Sequence, residues 1–115
     1  MNERIQLHRT YGWRKPDGAI VVSRPSRWGN PYGIADVVRR FPSLTEREAA
    51  AYAVNQFRYD LRSEHPSYPS DEEIRAELGG HDLCCWCPPD YPCHADVLLE
   101  IANSEPAARS GQDGA

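Results

Sequence analysis

No run in this chain approaches the roughly 18 consecutive apolar residues of a membrane span. The first ten residues, MNERIQLHRT, hold no apolar stretch of the kind that carries a secretory signal. Those two absences predict a cytoplasmic protein with no membrane partner, in a compartment where thiols stay reduced and disulfides are rare. Glycine-rich phosphate loops are missing too: there is neither a P-loop nor a G-x-G-x-x-G, which argues against ordinary dinucleotide binding or nucleoside triphosphate hydrolysis. The chain also lacks an excess of positive charge. Its formal net charge of -4 is the wrong sign for a general nucleic-acid binder.

What remains is a chain of 115 residues, 40% hydrophobic and 26% charged, the composition of an ordinary globular domain. The length suits one α/β domain over residues 1–103. Residues 104–115, SEPAARSGQDGA, are poor in apolar side chains and are expected to form a disordered tail. Charge is unevenly spread. Residues 1–40 carry eight Arg/Lys and three Asp/Glu, net +5, and the remainder five and fourteen, net -9. A basic first third suits an anionic ligand, although a solvated basic edge would look the same.

Ile5–Thr10 alternates well enough for an edge strand. Pro16-Asp17-Gly18 marks a turn, and the apolar, β-branched Ala19–Ser23 reads as a buried central strand. Gly33–Phe41 reads as a short helix or turn. Thr45-x-x-Glu48 and Ser70-x-x-Glu73 are capping boxes, opening a main amphipathic helix over Thr45–Arg62 and a shorter one to Leu78, with Ser63–Pro69 as linker. Asp82–Cys87 reads as the next strand and Pro92–Asn103 as the last helix. This order predicts a small Rossmann-like sheet of two or three layers, with a parallel crossover and helices packed on it. Parallel strands would bring the loops after Ser23 and Cys87 to one edge, where ligands of open α/β sheets bind.

Those two loops hold the specialised side chains. Arg24-Pro25-Ser26-Arg27-Trp28-Gly29-Asn30-Pro31 supplies charge, hydrogen-bonding groups and a flat ring, so Arg24, Ser26, Arg27, Trp28 and Asn30 are candidate ligand-binding residues, with Trp86 as a second stacking surface. The plainer alternative is a structural loop in which Trp28 plugs the core and the arginines pair with carboxylates. All four cysteines fall within Leu83–Leu98, LCCWCPPDYPCHADVL. Pro92 at the first helical position would place Cys93 and His94 in the first turn, where a thiolate or anion is favoured.

Taken together, Arg24–Pro31, Gly80–Leu83, Cys85-Trp86-Cys87-Pro88 and Pro92-Cys93-His94-Ala95-Asp96-Val97-Leu98 resemble domain of unknown function family 4326, a family of small phage and bacterial proteins. Its members carry RPSxxGNP-like, C-W-C-x-P and P-C-H-x-D-x-L motifs. The resemblance covers about Gly18 to Ala102; His81 stands where the family commonly has lysine, and Gly33–Leu44 is a longer connection. It implies the fold and the place of the site but no established activity; for an interaction module encoded by a phage, a host protein is the expected partner.

Three chemistries fit these residues. The first is a crevice between Arg24–Pro31 and Cys87–His94 that binds a nucleotide-like or other anionic small molecule, with Cys93, His94 and Asp96 as candidates for transfer or hydrolysis. The second is a zinc-stabilised interaction module. Cys85-x-Cys87-x5-Cys93-His94 supplies four donors of the kind tetrahedral zinc accepts, although neighbours on a helix point about 100° apart, so Asp96 could replace Cys93 or His94. The third is a nucleic-acid-modifying enzyme, which needs Arg9, Arg14, Lys15 and Arg27 to line one basic groove. Cys84 reads as core filler, and His8, His65 and His81 as surface or turn residues.

Overall fold

A short apolar segment can sit at the centre of a parallel sheet only if both its faces are buried, and Leu83–Cys85 meets that condition. In the computed structural model, which describes residues 2–63 and 67–104, all three of its residues are buried and it forms the middle strand. The strands are β1 (Arg4–Gln6), β2 (Ile20–Val21) and β3 (Leu83–Cys85), in the order β1-β3-β2. Both pairings are parallel: Arg4 opposes Leu83 and Gln6 opposes Cys85 on one side, while Ile20 opposes Leu83 and Val21 opposes Cys84 on the other. Further backbone bonds extend the ladder, from Leu7 N–H to the Cys85 carbonyl and from Val22 N–H to the Cys84 carbonyl. The α/β class with a parallel crossover is what the sequence predicted. The Ala19–Ser23 run, expected at the centre, instead supplies an edge strand, because β3 has the partner on each side.

Four helices follow the predicted order: α1 (Ile34–Arg40), α2 (Glu46–Arg62), α3 (Asp71–Leu78) and α4 (His94–Ala102). Both capping boxes form. Thr45 and Ser70 each accept a bond from the backbone of the glutamate three residues on, and that glutamate's carboxylate accepts from the cap's own N–H. Such a cap contributes about 1 kcal/mol. α4 packs on β3 and β1, α3 and α2 pack on α4, and α1 packs on α2. The main core joins Val22, Trp28, Phe57, Ile74, Leu78, Leu83 and Leu98, each such side chain contributing on the order of 1.5–3 kcal/mol through burial. A smaller cluster around Val37, Ala49 and Ala53 holds α1 to α2, with Phe41 and Tyr52 in ring contact at 5.3 Å.

The last helix starts later than expected. Pro92 precedes the cap, and Cys93 is the N-cap in an extended conformation (φ -147°, ψ 147°), so the helix proper opens at His94. Among the described residues no helix is long and apolar enough to cross a membrane. The predicted tail, apart from Ser104, and His65 with the middle of the predicted linker lie outside the described residues.

Candidate metal centre

Strand alternation places Cys85 on the face of β3 shared with Leu83 and turns Cys84 to the other face. Beyond Cys85 the chain bends at Trp86–Cys87, and two prolines and Asp90 carry it round to Pro92. The turn returns Cys93 to the sheet. The sulfur atoms of Cys85, Cys87 and Cys93 lie within 4.8 Å of one another. The Cys93 thiol donates to Cys85 Sγ at 3.2 Å. Cys85 and Cys93 are buried and Cys87 is half-buried; all are free thiols.

His94 flanks this triad. Its Nε2 lies 2.8 Å from the Val22 carbonyl oxygen, which can only accept, so Nε2 carries the proton. In the neutral ring Nδ1 is then a bare lone pair, and it lies 3.6 Å from Cys93 Sγ. Burial holds the imidazole below its ordinary pKa, against the opposing effect of the Val22 bond, so the ring stays neutral. The expectation that Cys93 and His94 diverge by a helical step does not hold, because Cys93 is an extended cap residue and not part of the helix.

The thiols resist ionisation. The bond with Cys87 leads in pushing Cys85 up to about 11, and burial adds to it. The bond with Cys85, again with burial, takes Cys93 up to about 11. Cys87 is pulled down by its bond from Cys85, but its bond with Cys93 and burial outweigh that and leave it at about 11. Each thiol acts as a proton donor to another, and the Arg4 charge, which favours the Cys87 thiolate, is outweighed by those bonds and by burial. Cys93 alone is therefore a poor nucleophile at neutral pH, since the thiolate is the reactive species.

Arg4 holds the loop around these thiols, a role no motif signalled. Its guanidinium donates to the carbonyls of Pro88 (3.1 Å) and Pro89 (2.6 Å) and pairs with Asp96 at 3.1 Å. Asp96 is thus engaged by Arg4. A half-buried arginine fork satisfying two loop carbonyls and one carboxylate is a strong positional restraint.

The Arg24–Pro31 loop reaches the same edge and spends most of its side chains on the fold. Trp28 is buried in the core. Arg27 pairs with Glu73 at 2.9 Å and Glu77 at 3.1 Å on α3, and stacks on Trp28 at 4.6 Å. Ser26 Oγ accepts from Trp28 N–H at 3.3 Å. Asn30 donates to the Ala53 carbonyl at 3.0 Å and accepts from Tyr32 N–H at 2.9 Å. Arg24 differs. It is exposed, it has no hydrogen-bond or ion-pair partner among the described residues, and its charge reaches His94. Trp86 is 43% exposed, with the Arg9 guanidinium 4.4 Å over its ring. His81 Nδ1 meets the Gly18 carbonyl at 2.7 Å, a turn contact.

The geometry defines a small mixed α/β protein with a three-stranded parallel sheet and a thiol triad at its carboxyl edge. The family described as Domain of unknown function (DUF4326) matches residues 5–104, and the chain belongs to it. No curated protein and no solved structure was found to match the chain.

Proposed function

We propose that this is a zinc-binding protein whose ion is held by Cys85, Cys87 and Cys93 with His94 beside them. The observation that carries the reading is the convergence of three sulfur atoms within 4.8 Å of one another. Zinc–sulfur bonds of about 2.3 Å in a tetrahedron set sulfur atoms about 3.8 Å apart, and a sulfur and an imidazole nitrogen about 3.6 Å apart. The Cys93–His94 separation of 3.6 Å suits this set, and the triad needs only small shifts. A metal-bound histidine characteristically donates its other N–H to a carbonyl or carboxylate, as His94 does to Val22. A divalent cation would also supply positive charge to all three sulfurs, where Arg4 favours only the Cys87 thiolate. The placement follows the logic of Rossmann-like sheets, with the site outside the carboxyl ends of the strands. Zinc there would tie the Trp86–Pro92 turn to the sheet and to α4.

Arg24 favours a second reading at the same edge, the binding of an anionic small molecule, nucleotide-like or otherwise. It is the one side chain of the Arg24–Pro31 loop whose charge is uncommitted among the described residues.

Elemental analysis paired with native and denaturing mass measurement tests the first reading. The expected result is about one zinc per chain, retained in the native spectrum and lost on denaturation. Protein that carries no zinc and takes up none after reduction and dialysis against zinc would overturn it.

A further inference from the structure

Arg4, Arg27, Arg39, Arg47 and Arg58 each meet a carboxylate, at 2.6–3.1 Å. Of the basic side chains that meet none among the described residues, Arg9, Arg14 and Lys15 fall together in Leu7–Pro16, a segment that contains no Asp or Glu. The same ten residues carry His8, Tyr11 and Trp13.

The loop is folded on itself. Trp13 N–H donates to the Thr10 carbonyl at 3.0 Å, the ring of His8 meets Trp13 edge-on at 5.6 Å, and Lys15 Nζ donates to the Ala19 carbonyl at 2.7 Å. Gly12, at φ +86°, makes the turn that a side chain would strain. The result displays the Tyr11 ring wholly to solvent, at 103% relative exposure, and brings Arg9 over the half-exposed Trp86. Trp13, Arg14, Lys15, Pro16 and Asp17 line an open concavity.

We propose that Arg9, Tyr11, Trp13, Arg14, Lys15 and Trp86 form a docking surface for single-stranded nucleic acid. Rings at least partly exposed, interleaved with cations that meet no carboxylate among the described residues, match a polymer in which flat bases alternate with phosphates, and base–ring stacking does not require a particular sequence. Charge complementarity is local: this patch is cationic on a chain of net charge -4. The negative net charge of the rest of the chain makes binding modest and salt-sensitive. Charged residues interrupt the rings, Arg9 before Tyr11 and Arg14 and Lys15 after Trp13, so a membrane, which needs a continuous apolar face, is a poorer fit. The patch is a loop and not a helix or ribbon shaped for a groove, so duplex is poorer too. Arg27, the fourth member of the groove considered from sequence, is held by Glu73 and Glu77 and takes no part. Only Trp86, between Cys85 and Cys87, joins this surface to the metal site, and Arg9, Tyr11, Trp13, Arg14 and Lys15 supply no metal ligand, so variants at Tyr11, Arg9 and Lys15 test the inference apart from the metal reading.

The test is fluorescence anisotropy of the full chain, as purified, with a labelled oligothymidine of about twelve nucleotides. Saturable binding is expected at low salt, weakening about twentyfold for a fourfold rise in salt if three phosphates are neutralised. Tyr11→Ala should cost about tenfold and Tyr11→Phe little, since the ring is what stacks. Arg9→Ala with Lys15→Ala should flatten the salt dependence, and Arg40→Ala, on α1, should change nothing. Zinc content and the circular dichroism spectrum of each variant separate these effects from loss of the metal site or of the fold. No binding at low salt, equal binding of duplex, equal competition by polyglutamate, or an unaffected Tyr11→Ala variant would each overturn the proposal.

Discussion

Nε2 of His94 and the carbonyl oxygen of Val22 lie 2.8 Å apart across 72 positions of sequence. The bond joins the carboxyl end of β2 to the first residue of α4, and it fixes which imidazole nitrogen faces Cys93. The ring also packs edge-on against Phe57 at 5.3 Å. One side chain therefore couples the sheet edge, the helix bundle and the thiol triad.

Removing that side chain should cost stability even without metal. His94→Ala leaves the Val22 carbonyl without its buried donor, a penalty of about 1–3 kcal/mol. Urea unfolding of the chelator-treated variant and parent reads it directly. Equal midpoints would mean that the bond contributes nothing to the fold.

The same histidine sets an acid limit. Its folded pKa lies below the ordinary 6.5, so below that pH the unfolded chain takes up a proton that the folded chain refuses. Stability from this group is complete above pH 6.5 and declines as pH falls from there towards the folded value. In chelator-treated protein the decline over that window should be shallower for His94→Ala than for the parent, as measured by thermal melts across the window.

The cysteines should separate by face. Cys85→Ser, Cys87→Ser and Cys93→Ser each remove a member of the triad and should lower zinc retention at least tenfold, with a lower melting temperature in zinc. Cys84 is fully buried but turned away from the triad, so Cys84→Ala should keep its zinc and lose only about 1 kcal/mol of packing. Cobalt titration provides the readout through its thiolate absorption. A Cys84→Ala protein that no longer takes up metal would place the ion elsewhere.

The meeting of Cys85, Cys87 and Cys93 was legible because strand alternation and a proline turn are local features. The relation between Cys93 and His94 was not. It depends on whether Cys93 is the cap or the first helical residue, and helix ends read from pattern shift by one or two positions. Sheet order was hidden for a similar reason, since Ala19–Ser23 and Leu83–Cys85 are both short apolar runs and only pairing decides which is central. The carboxylates that hold Arg27 lie 46 and 50 positions away, and nothing in Arg24–Pro31 distinguishes an arginine bound to a helix from one that waits for a ligand. Arg4, in a strand of three residues, gave no sign of its reach to Pro88 and Pro89.

Gly29 should tolerate no side chain. A Cβ there would lie 2.7 Å from Arg24 Cγ and 2.9 Å from both the Cα and the N of Arg24. The Cγ could swing away, but the two backbone atoms cannot move without shifting the loop that carries Trp28 into the core. Gly29→Ala is expected to destabilise by about 1–3 kcal/mol, as overpacking does, with a matching fall in the thermal midpoint. An unchanged midpoint would show that the loop yields freely.

Metal binding should release protons in a number that counts the ligands. Each thiol of the triad stands at about 11, so at pH 7 all of them are protonated in the metal-free protein, and His94 is already neutral. A zinc ion bound by the three sulfurs and the histidine must then expel about three protons, none of them from His94. Affinity should fall about a thousandfold for each unit of acidification while that count holds. Calorimetric titration in buffers of different ionisation enthalpy measures the count from the slope of the apparent heat. Two protons would mean that one thiol, most simply the half-buried Cys87, stays out of the coordination shell, and Cys87→Ser should then bind zinc as the parent does. Three protons together with a damaged Cys87→Ser variant would fix the full triad as the ligand set.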